Sequence, residues 1–239
     1  MKMCKKAMSM VLALAMVVSL TVPALAQSAN GESGMITKEI VADNGSRVVV
    51  NVPAEYRDFM TDARIQEFGS IPDLQEGDVI NIENIGGVSP ISDAALDENI
   101  TPWNKVPIYR HVTTKTKDKG EYIKKDEFIT SVARGQTITI GKTFTLSLST
   151  TISGSYYDKA ELGFKNAVSL TIQKTETYTG PAADEGGNSK EYRVRFYAQN
   201  WKWKQERYLM PQNQLEGTKT GTAVEATRFA RYSINRTIT

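Results

Sequence analysis

A run of alternating apolar and hydroxyl side chains between Gly135 and Gly180 constrains the fold more than any other part of the sequence. From Ile138 to Ser153 the even-numbered positions are mostly apolar, and the odd-numbered ones are nearly all serine or threonine. A second run, from Ala160 to Gln173, resumes the alternation after a short polar segment. Successive side chains of a strand point to opposite faces, so each run forms a strand with one apolar face. Together the two runs predict a long amphipathic β-hairpin.

The register of this hairpin is restricted by its apolar face. Directly opposed residues of an antiparallel pair lie on the same face, so the numbers of paired residues must add to an even total. One register of this kind pairs Gly154 with Ala160 and Leu146 with Val168. A slip by one residue would send one apolar set to the wrong face, so we expect a well-specified register.

The first 26 residues predict a secretory signal peptide. Three lysines lie within Met1 to Lys6, an apolar stretch follows to Val22, and Ala24-Leu25-Ala26 is a small-x-small cleavage site. We therefore expect a secreted, extracellular protein that begins at Gln27. Without the leader, 26 of the 29 basic residues remain against 27 acidic ones, a net charge of −1. This balance predicts no nucleic-acid partner.

The residues needed for most catalytic and metal sites are scarce. Cys4 is the only cysteine and lies within the expected leader, so we expect no disulfide and no thiol chemistry in the mature chain. His111 is the only histidine, and no nucleophile motif accompanies it. The sequence therefore predicts a protein that is not an enzyme and uses no cofactor or metal ion.

Composition divides the mature chain into two expected modules. Residues 27–105 indicate a small α+β module with a linker, in which Asp43-Asn44-Gly45 predicts a hairpin turn and Pro53 to Phe68 a helix. The linker is the Gly/Ser/Pro/Asp-rich stretch 86–102. Residues 106–239 predict an antiparallel β domain. The expected fold class is mainly β, with an elongated sheet domain that carries the hairpin.

A cluster of aromatic residues near the middle of the β domain allows two interpretations. Trp201 and Trp203 lie on one side of a predicted strand, and Tyr197 shares their parity. If exposed, the three would form a contact patch for a glycan or another cell-surface component. If buried, they belong to the core, which is the outcome we expect of the tryptophans.

The hairpin also allows two interpretations. A soluble sheet with its apolar face on the core explains the alternation. A membrane strand of about 9–11 residues explains it equally well, with Lys142 and Lys174 interrupting the apolar face at similar depths. In the membrane interpretation, Tyr156 and Tyr157 at the tip would lie at the interface. The candidate membrane-facing residues are Phe144, Leu146, Leu148, Ile152, Tyr156, Tyr157, Leu162, Phe164, Val168, Leu170 and Ile172.

The first arm reads Thr-Ile-Thr-Ile-Gly-Lys-Thr-Phe-Thr-Leu-Ser-Leu-Ser-Thr-Thr-Ile-Ser-Gly from Thr137 to Gly154. In a secreted β-rich chain this run resembles the insertion region of the aerolysin/epsilon-toxin pore-forming proteins. The strand Ala160-Glu161-Leu162-Gly163-Phe164 and the later Gly180-Pro181 turn also resemble secreted Gram-positive β-proteins without known function, and the match covers about Val132 to Tyr197. The first resemblance implies elongated twisted sheets, a hairpin stored against the body and oligomerisation into a barrel.

Two functions remain open at this point. The first is a membrane-interacting, pore-forming protein of aerolysin-like architecture, which would form homo-oligomers. The second is a non-lytic extracellular binding protein that uses the β domain as a scaffold for the patch of Tyr197, Trp201 and Trp203. Size exclusion with and without liposomes would separate the two.

Overall fold

The computed structural model describes residues 34–87 and 108–238, and the described chain is mainly β, as the alternation predicts. The expected signal peptide and most of the expected linker lie outside these residues. No helix in these two ranges is long and apolar enough to cross a membrane. The strands are β1 (Met35–Val41), β2 (Arg47–Pro53), β3 (Val79–Gly86), β4 (Ile108–Lys117), β5 (Tyr122–Ala133), β6 (Thr137–Thr139), β7 (Phe144–Ser149), β8 (Thr151–Gly154), β9 (Ala167–Ile172), β10 (Thr177–Thr179), β11 (Ser189–Met210) and β12 (Gln214–Arg236).

The last two strands form a long antiparallel hairpin, which we call the spine. β11 has 22 residues and β12 has 23, so at about 3.3 Å per residue the spine is about 70 Å long. A register shift between Tyr197 and Ala198 marks a bulge, three residues before the position near Asn200 that the change of parity predicts. The extra residue is Thr227 of β12, so the shift does not alter the alternation of β11. Both parities of β11 are buried because both faces of the spine are covered, with Phe196 packed against the residues of β7 and β9 and Arg195 packed on Phe68.

Different strands flank the two halves of the spine. In the half near residues 189–198, β11 pairs with β5, and β12 pairs with β3 over residues 229–235. In the half nearer the spine turn, β11 pairs with β4 and β12 with β8. The resulting eight-stranded sheet continues outward from β3 through β2 to β1. All its pairs are antiparallel except β2 with β3.

The first two strands meet at the turn predicted for Asp43-Asn44-Gly45. Val41 pairs with Arg47, and Gly45 has a φ of 88°, a left-handed conformation that glycine adopts without strain. The turn prediction is therefore confirmed.

The prediction of one continuous helix from Pro53 to Phe68 is wrong, because the segment is divided into three short helical pieces. The chain forms a 3₁₀ turn at Ala54–Tyr56, a short helix α1 at Asp62–Gln66 and a second 3₁₀ turn at Glu67–Ser70. The break before α1 lets Met60, Ile65 and Phe68 all reach the same core. In a straight helix Met60 and Ile65, five residues apart, would lie about 140° apart around the axis.

The region before residue 88 and the region after residue 107 share one sheet and one core. β3 pairs with β12, and the helical segment covers a cluster that includes Val50, Phe68, Ile80 and Tyr232. The described chain from Gly34 onward is therefore a single compact unit, in which the two expected modules are joined through β3 and β12.

Candidate functional site: a docked amphipathic hairpin

The predicted hairpin exists, but its paired part is shorter than the alternation suggests. β7 and β9 form a two-stranded antiparallel sheet of their own, in which Phe144 pairs with Ile172 and Leu148 with Val168. The numbers of paired residues add to 316, an even total as predicted. The example register that pairs Leu146 with Val168 is therefore displaced by two residues from the observed one, in which Val168 pairs with Leu148. We call residues 144–172 the docked hairpin.

The apolar face of the docked hairpin packs against the spine. Leu146, Leu148, Val168 and Leu170 contact a cluster built on Phe196 and on other residues of β11 and β12. Phe144 and Ile172 extend the contact to a neighbouring cluster that contains Val132, Tyr178 and Tyr192. No strand of the spine pairs with β7 or β9 in the described residues, so these two strands are attached through side chains.

The hydroxyl face of the same hairpin is turned to solvent. Thr145, Ser147, Ser149, Ser169 and Thr171 are all exposed. Across the pair, the Oγ1 atoms of Thr145 and Thr171 lie 3.1 Å apart, within hydrogen-bond distance. The docked hairpin therefore separates an apolar face from a hydroxyl face, as the sequence predicts.

The segment between the two arms leaves the hairpin and joins the main sheet. β8 pairs with β12, and Gly154 lies directly opposite Gly221. A Cβ atom at Gly221 would collide with the carbonyl of Ser153 and with the ring of Trp203, so the close approach of these strands requires glycine. Thr150 reinforces the attachment, because its Oγ1 accepts the backbone N–H of Ala226 at 3.0 Å.

The start of the second arm differs most from the predicted hairpin. Residues Ala160–Leu162 form a 3₁₀ turn and do not begin a strand. The turn buries Leu162 completely against Trp203 and Ala223, and Ile152 and Phe164 pack around it. These contacts stabilise a compact excursion in place of a continuous strand, which the local alternation alone does not reveal.

The tip aromatics have different surroundings. Tyr156 is exposed, whereas Tyr157 is half-buried and stacks on His111 with ring centroids 5.6 Å apart. Arg207 lies over the Tyr157 ring at 4.6 Å, and Nδ1 of His111 lies 2.6 Å from a carboxylate oxygen of Glu161. His111 therefore packs at the base of the tip, where ring and carboxylate contacts account for it.

Ion pairs tie the end of the docked hairpin to the sheet. Arg231 of β12 contacts Glu176, just after β9, and its Nε lies 3.1 Å from Oε2 of Glu83 on β3. Burial raises the pKa of the Glu83 carboxyl, and burial also raises the pKa of Tyr178 to about 12. No local pattern in the sequence indicates these anchors, because residues 83, 176 and 231 are far apart in the chain.

The candidate contact patch of Tyr197, Trp201 and Trp203 is divided between core and periphery, and Trp203 lies in the core as expected. Tyr197 and Trp203 are each 2% exposed, and Trp201 is half-buried beside Phe164. The indole N–H of Trp203 donates to the carbonyl of Thr222 at 3.2 Å, so its polar atom is satisfied within the sheet. The three residues thus do not form an exposed platform, because two of them fill the core.

Comparison of the chain with protein-family models, with curated proteins and with solved structures finds no match.

Proposed function

We propose that the protein is a secreted, membrane-interacting protein of aerolysin-like architecture, in which residues 144–172 leave the body and insert into a lipid bilayer to form a pore. One observation carries this proposal. An amphipathic hairpin with a hydroxyl face and an apolar face lies on the spine as a separate sheet and is attached there mainly by side chains. Membrane strands need the same division of faces, with the apolar one turned to lipid.

The length of the hairpin suits this role if the register of β7 and β9 continues toward the tip. The same register then pairs Ile152 with Phe164 and Gly154 with Leu162, which gives two arms of eleven residues, 144–154 and 162–172. Such an arm is about 36 Å long at about 3.3 Å per residue. Tilted by about 45°, it spans roughly 26 Å, close to the apolar band of about 25 Å in membrane β proteins.

The same register places the polar residues of the apolar face opposite one another. Thr150 meets Asn166, and the backbone N–H of Thr150 already donates to the Asn166 carbonyl at 2.8 Å in the docked state. Two polar side chains that face each other can hydrogen-bond across the pair, which lowers the cost of placing them in lipid. Below the apolar band, Lys142 meets Lys174, where two ammonium groups would lie among phosphate headgroups.

The tip would contain residues 155–161, with Tyr156 and Tyr157 at the far interface. Tyrosine is enriched at that depth, because its ring is apolar and its hydroxyl needs water or a headgroup. To reach it, Tyr157 must leave its stacking contact with His111, and β8 must leave β12. We therefore infer that separation of β8 from β12 is part of insertion.

The alternative of a non-lytic binding scaffold loses its main support, since Tyr197 and Trp203 are buried. The binding scaffold is the function that would remain if the liposome experiments below show no release of dye. We propose a cell membrane as the partner, assembly of identical chains as the route to the pore, and no catalytic step.

A pair of engineered disulfides tests the proposal. Ser153 and Thr222 are opposed across β8 and β12, and both are exposed, so the double variant S153C/T222C can close a disulfide that holds β8 in place. We expect the oxidised variant to fold, to release no dye from liposomes or target cells, and to recover release when reduced. The mature chain offers no other cysteine if the leader ends at Ala26.

The matched control is T145C/T171C, which joins the two arms of the docked hairpin on its exposed face. This disulfide persists when the hairpin moves as a unit, so the oxidised control should remain active. Equal release by the oxidised lock and by its reduced form would contradict the proposal. Absence of release by the wild-type protein in every lipid mixture and on target cells would leave the binding scaffold.

A dye series identifies which face meets lipid. Single cysteines at Leu146, Ser147, Leu148 and Ser149, labelled with an environment-sensitive dye, should alternate after liposomes are added. Dyes at Leu146 and Leu148 should be quenched by acyl-chain quenchers, and dyes at Ser147 and Ser149 should stay in water. Loss of this alternation while the vesicles leak would place the pore elsewhere in the chain.

A further inference from the structure

A cavity of about 230 Å³ that is open to solvent lies where the helical segment, the spine and the docked hairpin meet. This is several times the roughly 30 Å³ that one water molecule takes in the liquid, so the cavity can hold a small molecule. Its lining residues are Phe59, Arg64, Gly87, Glu121, Lys165, Thr227 and Arg228.

Positive charge exceeds negative charge in this lining. Arg64, Lys165 and Arg228 bring three cations, and Glu121 brings one carboxylate, a balance of +2. Glu121 is shared, because its Oε2 lies 3.1 Å from Nη2 of Arg64 and 2.7 Å from Nη2 of Arg228. Its Oε1 accepts the hydroxyl of Thr227 at 2.5 Å.

Two further acids near the cavity are engaged elsewhere. The carboxylate of Glu225 accepts the backbone N–H of Lys165 at 3.0 Å and does not line the cavity. Glu67 does not line the cavity, and burial raises the pKa of its carboxyl. Glu121 is therefore the one acid among the lining residues.

Arg228 is buried and has N–H groups that lack an aligned acceptor. Its side chain is 6% exposed, and its Nε has no hydrogen-bond acceptor in the described chain. Its Nη2 is close to Glu121 but lacks the alignment of a hydrogen bond. A buried guanidinium with free N–H groups is costly, and an added oxyanion would supply the missing acceptors.

We propose that this cavity binds a doubly charged tetrahedral oxyanion, a phosphate or the phosphate group of a monoester. Two guanidinium groups and one ammonium group match the charge and the several acceptor oxygens of such a group. Phe59, at the rim and 36% exposed, offers an apolar contact to the organic part of a monoester. The proposed function does not depend on this site, and the site does not depend on the pore.

Because Lys165 lies in the docked hairpin, a bound phosphate would also affect whether the hairpin leaves the body. This part of the inference rests on the proposed function. Lys165 belongs to the docked hairpin, and its Nζ donates to the carbonyl of Gly87 at 2.8 Å. Arg64 and Arg228 belong to the body. A dianion bound by all three would bridge the hairpin to the body and favour the docked state.

The test is a titration of the mature protein with inorganic phosphate at constant ionic strength, followed by calorimetry and thermal unfolding. We expect saturable binding that raises the melting temperature. The variant K165Q removes one charge-assisted contact and should weaken binding by roughly ten- to a hundredfold. The control K124Q changes an exposed lysine of β5 outside the cavity and should bind as the wild type does.

Two further arms identify the source of the phosphate. Glycerol phosphate in solution probes a free monoester, and vesicles of phosphatidylcholine with or without phosphatidic acid probe a lipid headgroup. Binding that appears with any of these probes and is weakened by K165Q supports the site and assigns its source. Absence of saturable binding in all arms, or equal binding by wild type, K165Q and K124Q, would overturn it. Calorimetry needs no membrane, so its result is independent of any pore measurement.

Discussion

The spine and the docked hairpin are both antiparallel, amphipathic and alternating, yet they are held in the molecule in different ways. β11 has backbone partners on both sides along nearly all of its length, from β12 on one side and from β5 and β4 on the other. β12 pairs with β11 and is also paired on its other side at residues 221–224 with β8 and at residues 229–235 with β3. β7 and β9 pair with each other and meet the spine through side chains. Alternation therefore predicts a strand and its faces, while the neighbours decide whether that strand can move.

The buried side chains of the spine also depend more on fixed partners than those of the docked hairpin do. The spine buries charged groups that need fixed partners, such as Arg195, whose Nε donates to Asp126 at 2.8 Å and whose Nη1 donates to the carbonyl of Glu67 at 3.1 Å. Moving such a group away from its partners would leave an unpaired charge in the core. The apolar face of β7 and β9 carries aliphatic and aromatic side chains, which lose little when they exchange one apolar contact for another.

The largest effect should come from a core residue of the spine. Replacing Trp203 with alanine removes a buried ring and its hydrogen bond to Thr222, and we expect a loss of about 3–5 kcal/mol in the free energy of unfolding. Urea denaturation followed by circular dichroism measures this loss. The control is Trp201→Ala, at a half-buried position, which should cost clearly less. Equal stability of both variants and the wild type would show that this part of the spine is not core.

A matched pair of isoleucines tests the comparison directly. Ile172 of the docked hairpin and Ile234 of the spine are both 0% exposed, and each substitution to alanine removes the same atoms. Ile234→Ala should lower global stability by about 2–5 kcal/mol. Ile172→Ala should instead favour local opening, seen as faster amide hydrogen exchange in β7 and β9 while β11 and β12 keep their protection.

This result would separate two models of the molecule. If both substitutions lower the protection of all strands equally, the docked hairpin and the spine unfold as one unit. The contrast drawn from their hydrogen-bond partners would then be wrong.

The smallest effect concerns a carboxyl packed beside the spine. The pKa of Glu67 is raised, mainly by burial, so the folded state holds this proton to a higher pH than the unfolded state does. The stability that Glu67 contributes is therefore complete at low pH and is lost as the pH rises through the raised pKa. Glu67→Gln stays neutral, so the variant should be the more stable one at pH 7, with a difference that disappears below the ordinary carboxyl pKa.

Thermal unfolding across pH 3 to 8 measures this difference. Asp58→Asn, which neutralises an exposed acid of the same segment, is the control and should leave the pH dependence unchanged. A Glu67→Gln variant that is less stable than the wild type at pH 7 would mean that the charged form is stabilised by Arg64 and Arg195.

Much of the fold could be predicted, because its strands carry local signals. The mainly β class follows from the alternation, and the Asp43-Asn44-Gly45 turn fixes the first hairpin. The even-sum rule holds for β7 and β9. These features depend on the alternation of side chains and on the conformational freedom of glycine, which act over a few residues.

The features that the sequence did not predict depend on distant partners. The arm breaks at Thr150 because the neighbouring residues find better contacts on β12 and around Trp203. The cavity combines Arg64, Glu121, Lys165 and Arg228, which no spacing rule connects. The burial of Trp203 agrees with the core outcome expected of the tryptophans, but its partners Leu162 and Ala223 could not be predicted, because a strand pattern does not show which element covers a face.

The attachment of β8 has a consequence for how copies of the chain could meet. While β8 is in place, the backbone N–H and C=O groups of residues Gly221–Val224 on its side of β12 are paired. Once β8 leaves, these groups form an open sheet edge, which readily accepts another strand. In the proposed insertion, the movement that frees the hairpin would therefore also create a docking edge for a neighbouring molecule, and the docked state would conceal that edge.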